Sequence, residues 1–220
     1  MKKKLVFSLV VYGKSYVDTF VNYSLSSLIQ NISNINKEKY TLILYLSCTE
    51  QDKKKLITNL EKHFDLIEVF NVEKVVDKNS KYSMLSTHQY LHNWKSKDSN
   101  YDYIIYLYAD FIFGKNAILN SLEIIDDYTS LFTFALLLNS KKKNFSNFIK
   151  NLNKNKNPLS SVIEYDLIDN YHKSFKKSSF NISKSFSYTE NNKDIFLKAF
   201  HMHPIIINLN RVKREKFNKK

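Results

Sequence analysis

Five short apolar runs of strand length alternate with stretches whose apolar residues recur at helical spacing, and this limits the folds open to the chain. Leu5–Val11, Tyr40–Ser47, Leu66–Val72, Tyr103–Tyr108 and Leu131–Leu138 read as strands. Between the first two, Val17, Phe20, Val21, Leu25, Leu28, Ile29 and Ile32 share one helical face. Thr49, with Asp52 three residues on, is a helix-start signature. Lys81–Trp94 and Lys115–Tyr128 read as further helices. The alternation predicts βαβ units and a mostly parallel sheet flanked by helices. The near-continuous apolar strands agree, because parallel sheets are covered on both faces.

After residue 140 the pattern changes. Lys141–Asn157 is rich in Lys and Asn, and its anchors Phe145, Phe148 and Ile149 predict a helix between polar segments. Leu159–Tyr171 is amphipathic, and Lys173–Asn192 reads as loop with short strand. Ile195–Phe200 and Pro204–Leu209 are apolar runs around His201-Met202-His203, and Arg211–Lys220 is a basic tail expected to fray. No internal repeat is present.

Only two glycines occur, Gly13 and Gly114. A dinucleotide-binding turn needs a glycine cluster after its first strand, and a P-loop needs glycines before a Lys-Ser/Thr pair. Neither can be built. What remains are α/β folds that hold nucleotides with side chains and a metal. Both glycines follow the carboxyl end of a predicted strand, the edge where open α/β sheets bind ligands. Each is also explained by a turn that glycine eases.

The formal net charge is +13, but Arg211 and Arg214 are the only arginines. A Lys-dominated excess reads as solvated surface, because nucleic-acid readers lean on the bidentate guanidinium. Nucleic acid is therefore disfavoured as a partner. The lone Cys48, in apolar surroundings, reads as a buried inert thiol and suits a reducing, cytoplasmic setting. Met1-Lys2-Lys3-Lys4 before Leu5–Val11 imitates a signal peptide, but Tyr12-Gly13-Lys14 replaces the small-residue cleavage site, so a buried first strand is expected. No run approaches the roughly 20 apolar residues of a membrane span. Lys141–Lys156 suits either peripheral contact with an anionic membrane or a solvated loop.

Three groups of residues carry candidate chemistry. Asp110 follows the strand Tyr103–Tyr108 in Tyr-Ala-Asp-Phe-Ile-Phe-Gly, where a carboxylate can hold Mg²⁺ or Mn²⁺ against a pyrophosphate. The competing reading, a helix N-cap, is weakened because the next helical pattern starts near Gly114-Lys115. His201 and His203 fall on one side of an extended chain and suit a transition metal, or are ordinary surface or core histidines. Tyr82, Leu85 and His88 share a helical face, which packing against the sheet also explains.

The order of these pieces resembles the nucleotide-binding half of GT-A-fold glycosyltransferases, in which an apolar strand ends in a metal-binding Asp-x-Asp. Lys81-Tyr82-x-Met84-x-x-x-His88 and Phe200-His201-Met202-His203-Pro204-Ile205 are similar to stretches of a bacterial, family 2-like subgroup. Tyr108-Ala109-Asp110 retains only the final Asp. The resemblance implies one GT-A-like domain over residues 1–220, with a nucleotide-binding half to about residue 139 and an acceptor-side half over about 140–210. It implies a nucleotide-sugar donor and a glycan or lipid-linked acceptor. Asp110 with His203, and less so His201, would hold the divalent metal. Tyr12-Gly13-Lys14 would contact the nucleotide, Tyr12 by stacking on the base, and Lys81 and His88 would neutralise phosphate. Alternatives are a non-catalytic relative that binds a glycan or protein, and a basic nucleic-acid-associated domain.

Overall fold

The computed structural model describes residues 1–74, 100–135, 145–152, 184–190, 193–199 and 201–214, with side chains for 1–73, 100–131, 145–149, 151 and 206–212. The chain forms two compact units, residues 1–131 with 204–220, and residues 132–203.

The first unit is a layered α/β structure. Strand β1 is Lys3–Val10, and a helical stretch follows as α1 (Lys14–Thr19), a π turn over Phe20–Ser24 and α2 (Leu25–Ser33). Then come β2 (Tyr40–Cys48), α3 (Glu50–Leu60), β3 (Leu66–Asn71), β4 (Tyr103–Tyr108), α4 (Ala117–Ile124) and the first residues of β5 (Ser130–Ala135). Strand β8 (His201–Asn208) returns late and leads into α6 (Leu209–Arg214). The sheet order is β3-β2-β1-β4-β8-β5. The β1–β2, β1–β4 and β2–β3 pairs are parallel, while β4 and β8 run antiparallel, with Ile104 opposite Ile207. The mostly parallel sheet flanked by helices is what the alternation predicts, and the antiparallel β8 makes it mixed.

Strand alternation sends side chains to two faces. Leu5, Phe7 and Leu9 of β1, Leu42, Leu44 and Leu46 of β2, and Ile105 and Leu107 of β4 join one core. Helices cover that face with Phe20, Leu28, Ile32, Leu56, Leu60, Ile118 and Leu122. The opposite face groups Val6, Val10, Ile43, Tyr45, Ile104 and Tyr106 with Leu209 of α6. Each fully buried aliphatic side chain contributes about 1.5–3 kcal/mol, so the helix-covered face supplies most of the cohesion.

Two local differences from the sequence reading have clear causes. The stretch between β1 and β2 is not one regular helix, because the Leu25 N–H bonds Phe20 O five residues back. The tail does not fray at Arg211. Leu209 is buried, its N–H donates to Asp102 O, and Arg211 Nε donates to Asp126 O at 2.7 Å. Residues 215–220 lie outside the described residues, as do the predicted helix Lys81–Trp94 and the amphipathic stretch Leu159–Tyr171.

The second unit contains α5 (Phe145–Leu152), with Phe145 and Ile149 buried, as their spacing predicts. Its strands β6 (Lys184–Glu190) and β7 (Lys193–Ala199) pair antiparallel.

Candidate functional site

The chain runs from β1 outward to β2 and β3 on one side, then places β4 on the other side of β1. The strand order therefore reverses between β1 and β4, and the crevice beyond their carboxyl ends is where open α/β sheets bind ligands. Val10 of β1 lies opposite Tyr108 of β4. Two segments consequently leave the sheet side by side, Val11–Lys14 and Ala109–Asn116.

The first segment is held at both ends. Val11 N–H donates to Ser47 O at 3.0 Å, continuing the β1–β2 ladder by one residue. Gly13 has φ 81°, a left-handed conformation that suits glycine. Its N–H donates to Asp52 Oδ2 at 2.9 Å, and the Thr49 hydroxyl donates to the same oxygen at 2.7 Å. Thr49 caps α3, as the sequence predicts, by accepting from Asp52 N–H. The Asp52 carboxylate has a further use that the sequence does not announce, since it joins the cap to the first turn. Tyr12 packs half-buried against the second core, and Lys14 is exposed at the start of α1. Asp18, one turn along, is held below the usual carboxylate range, first by its bond from Lys55 at 2.8 Å.

The second segment begins as a tight turn in which Phe111 N–H donates to Tyr108 O. Asp110 occupies the third position of that turn. Its side chain is exposed and has no hydrogen bond or ion pair among the described residues. Tyr108 and Phe111 rings pack 4.6 Å apart, with Phe113 buried beyond them. Burial raises the Tyr108 phenol, and the Asp110 carboxylate adds to that rise. Helix α4 starts only at Ala117, so Asp110 is not its cap. That position belongs to Asn116, a residue type that tolerates its left-handed φ of 59°.

Gly114 differs from Gly13. A Cβ would meet nothing within 4 Å at either position, and the difference lies in the backbone, since the φ of Gly114 is outside the left-handed range. Backbone conformation thus explains Gly13 and not Gly114. Asp102, at the opposite end of β4, is engaged by Lys4 N–H and Asn210 Nδ2, both at 2.7 Å. It has no part in the crevice. Cys48 is buried, and its thiol is pushed up to about 11 by burial, with Asp52 and Glu50 adding to the effect. This agrees with an inert role.

Of the sequence-predicted residues, Tyr12, Gly13, Lys14 and Asp110 meet at one edge of the sheet. Lys81 and His88 lie outside the described residues. His201 and His203 lie on β8 and within the second unit, with side chains outside those described. Among the described residues no group of three or more His, Cys, Asp or Glu could hold a metal ion. One exposed carboxylate does not make an all-protein cage. It does suit a hard cation that arrives with a diphosphate, since such cations are commonly held by one or two carboxylates plus phosphate oxygens. Among the described residues no helix is long and apolar enough to cross a membrane.

No protein family and no curated protein matches the chain in sequence. Solved structures similar to it include S. aureus TarS, at 12% identity and TM-score 0.40 over 65% of this chain and 23% of that one. Mouse xyloside xylosyltransferase 1 is 12% identical, with TM-score 0.47 over 97% of this chain and 70% of that one. The galactosyltransferase LgtC, in complex with donor and acceptor sugar analogs, is 12% identical, with TM-score 0.42 over 97% of this chain and 60% of that one. The chain thus spans about a quarter of TarS. With TM-scores and identities this low, none of these likenesses assigns a substrate or a site residue here.

Proposed function

We propose that this chain is a nucleotide-sugar-dependent glycosyltransferase that moves a sugar from a nucleotide-diphosphate donor to a hydroxyl acceptor in glycan or surface polysaccharide assembly. The observation that carries the reading is the meeting of the Tyr12–Lys14 turn and the Asp110 turn at the reversal of strand order. A nucleotide would lie across β1 there, its base against Tyr12 and its diphosphate toward Lys14 and Asp110. Transfer breaks the bond between the anomeric carbon and the diphosphate oxygen and forms one to the acceptor oxygen. Negative charge grows on the departing diphosphate, and cationic groups placed in advance lower that barrier. Lys14, with Lys81 and His88, is assigned this part. Asp110, with His203 and secondarily His201, is assigned to a Mn²⁺ or Mg²⁺ ion, which as a Lewis acid would stabilise the same leaving group. The acceptor is a glycan or lipid-linked hydroxyl, and the site of action is the cytoplasm or the inner face of its membrane.

The test is a panel of nucleotide sugars and nucleoside diphosphates, with and without Mn²⁺, read by melting temperature and by donor turnover. A ligand that binds only the folded state raises its melting temperature. The expected result is a metal-dependent shift with one nucleotide family and turnover lost in Asp110→Ala. A fully active Asp110→Ala contradicts the scheme. Tyr108, standing where the first Asp of the triplet would be, favours one second reading, a donor-binding protein without transfer. Binding without turnover, indifferent to metal, is its signature.

A further inference from the structure

The segment carrying Asp110 has little regular structure of its own, yet its backbone is tied down by one row of buried polar side chains. Ser24, Ser27 and Asn31 are 2%, 0% and 0% exposed. Their spacing of three and four residues aligns them on one side of the α1–α2 stretch. Ser24 Oγ donates to Ala109 O at 2.9 Å. Phe113 N–H donates to Ser27 Oγ at 3.0 Å, and that hydroxyl donates onward to Ser24 O. Asn31 Nδ2 donates to Gly114 O at 3.0 Å, and Ile118 N–H donates to Asn31 Oδ1 at 3.1 Å. The bonds fall immediately before Asp110 and again from Phe113 onward, so the exposed carboxylate is bracketed by fixed backbone.

A helix stripe packed on a sheet gains most from apolar side chains, and buried polar groups cost unless bonded. Three in a row, each spent on the backbone of one irregular segment, indicate that the position of that segment matters. The π turn ends at Ser24, so its extra residue sets the phase that aligns Ser24 with Ala109 O. Such turns are frequent at functional sites.

We propose that Ser24, Ser27 and Asn31 are positioning residues that hold the Asp110 turn in its ligand-competent arrangement before the nucleotide diphosphate arrives. The proposal rests on the glycosyltransferase reading above. Without the row the turn samples other arrangements, and apparent affinity falls by the fraction of time it is competent, about tenfold if that fraction drops to a tenth.

The experiment compares wild type with Ser27→Ala, Ser24→Ala and Ser24→Thr. Ser33→Ala is the control, because Ser33 lies on the same helix, is exposed, and among the described residues its side chain bonds only Gln30 O. Amide exchange in the ligand-free protein reads the Phe113 N–H directly. Titration with a panel of nucleoside diphosphates and Mn²⁺ reads affinity, and turnover separates KM from kcat. Ser27→Ala should speed Phe113 exchange and raise donor KM about fivefold to tenfold, the scale of one lost hydrogen bond, with kcat within about twofold. Ser24→Thr should restore what Ser24→Ala loses, and Ser33→Ala should change nothing. If Ser27→Ala fails to fold, the Ser24 pair supplies the affinity and turnover comparison. Faster exchange at Phe113 with unchanged donor affinity would make the row purely structural and overturn the proposal. If wild type itself binds no nucleotide diphosphate, the glycosyltransferase reading fails and takes the proposal with it. Wild-type binding left intact by every row variant overturns the proposal alone.

Discussion

Gly13 is the residue at the crevice whose backbone makes the firmest demand on its identity. Gly13 and Gly114 look alike in sequence, since each follows a strand. The backbone separates them, because Gly13 alone holds a positive φ. Gly13→Ala should cost about 1–2 kcal/mol in a denaturant titration, while Gly114→Ala should be neutral or stabilising by up to about 1 kcal/mol. Equal effects would contradict that assignment. At the other end of the sheet, Lys3 Nζ donates to Tyr103 OH at 2.6 Å and to Asp126 at 2.9 Å, and Tyr103 donates to Asp126 as well. Burial pushes the Tyr103 phenol up to about 12, and its bond to Asp126 adds to the rise. That same hydroxyl, followed by Lys3, holds the Asp126 carboxyl below its usual range, against the opposing effect of burial. The folded chain therefore protonates Asp126 less readily than the unfolded chain. Its contribution is complete above the ordinary carboxylate value of about 4 and is lost as pH falls through the lower folded value. Asp126→Asn should lower stability at neutral pH and flatten the acid limb of the stability–pH curve. An unchanged acid limb would contradict this. Both charged side chains are largely exposed, so added salt should weaken the effect.

Elements were legible where one strong period ran without competition. β1, β2 and β4 stand out because their side chains are buried on both faces, which makes the sequence continuously apolar. The Thr49 cap was legible because a short polar side chain before an Asp at the third helical position has a direct physical use. Thr49→Ala should destabilise the protein by about 1 kcal/mol, and because Thr49 donates to the Asp52 oxygen that Gly13 uses, it should also speed exchange of the Gly13 amide. Normal exchange there would separate the cap from the turn. The π turn was not legible, since its apolar residues keep nearly helical spacing and only the hydrogen bond from Leu25 to Phe20 marks it. The Ser24, Ser27 and Asn31 row was equally silent. Its spacing was visible, but small polar residues on a helix are ordinarily solvent-facing, and their partners lie more than 80 positions away.

At the scale of the whole molecule, alternation gave βαβ units but not the strand order, and the order is what creates a site. Asp110 draws notice in the sequence because it follows an apolar strand, and Tyr12–Lys14 because they follow another. That these two strands are neighbours depends on long-range pairing that no local pattern encodes. The late return of β8 beside β4 is of the same kind, since an apolar run after residue 203 does not say where it pairs. On the proposed reading, a nucleotide diphosphate binds where the strand order reverses. The most direct measurement of that binding is amide exchange on the intact protein, with and without a saturating nucleoside diphosphate and Mn²⁺. The expected result is slowed exchange confined mainly to residues 11–15 and 109–114, at the ends of β1 and β4. Protection centred at the opposite edge, around Lys3, Asp102 and Asp126, or no protection with any nucleotide, would contradict it.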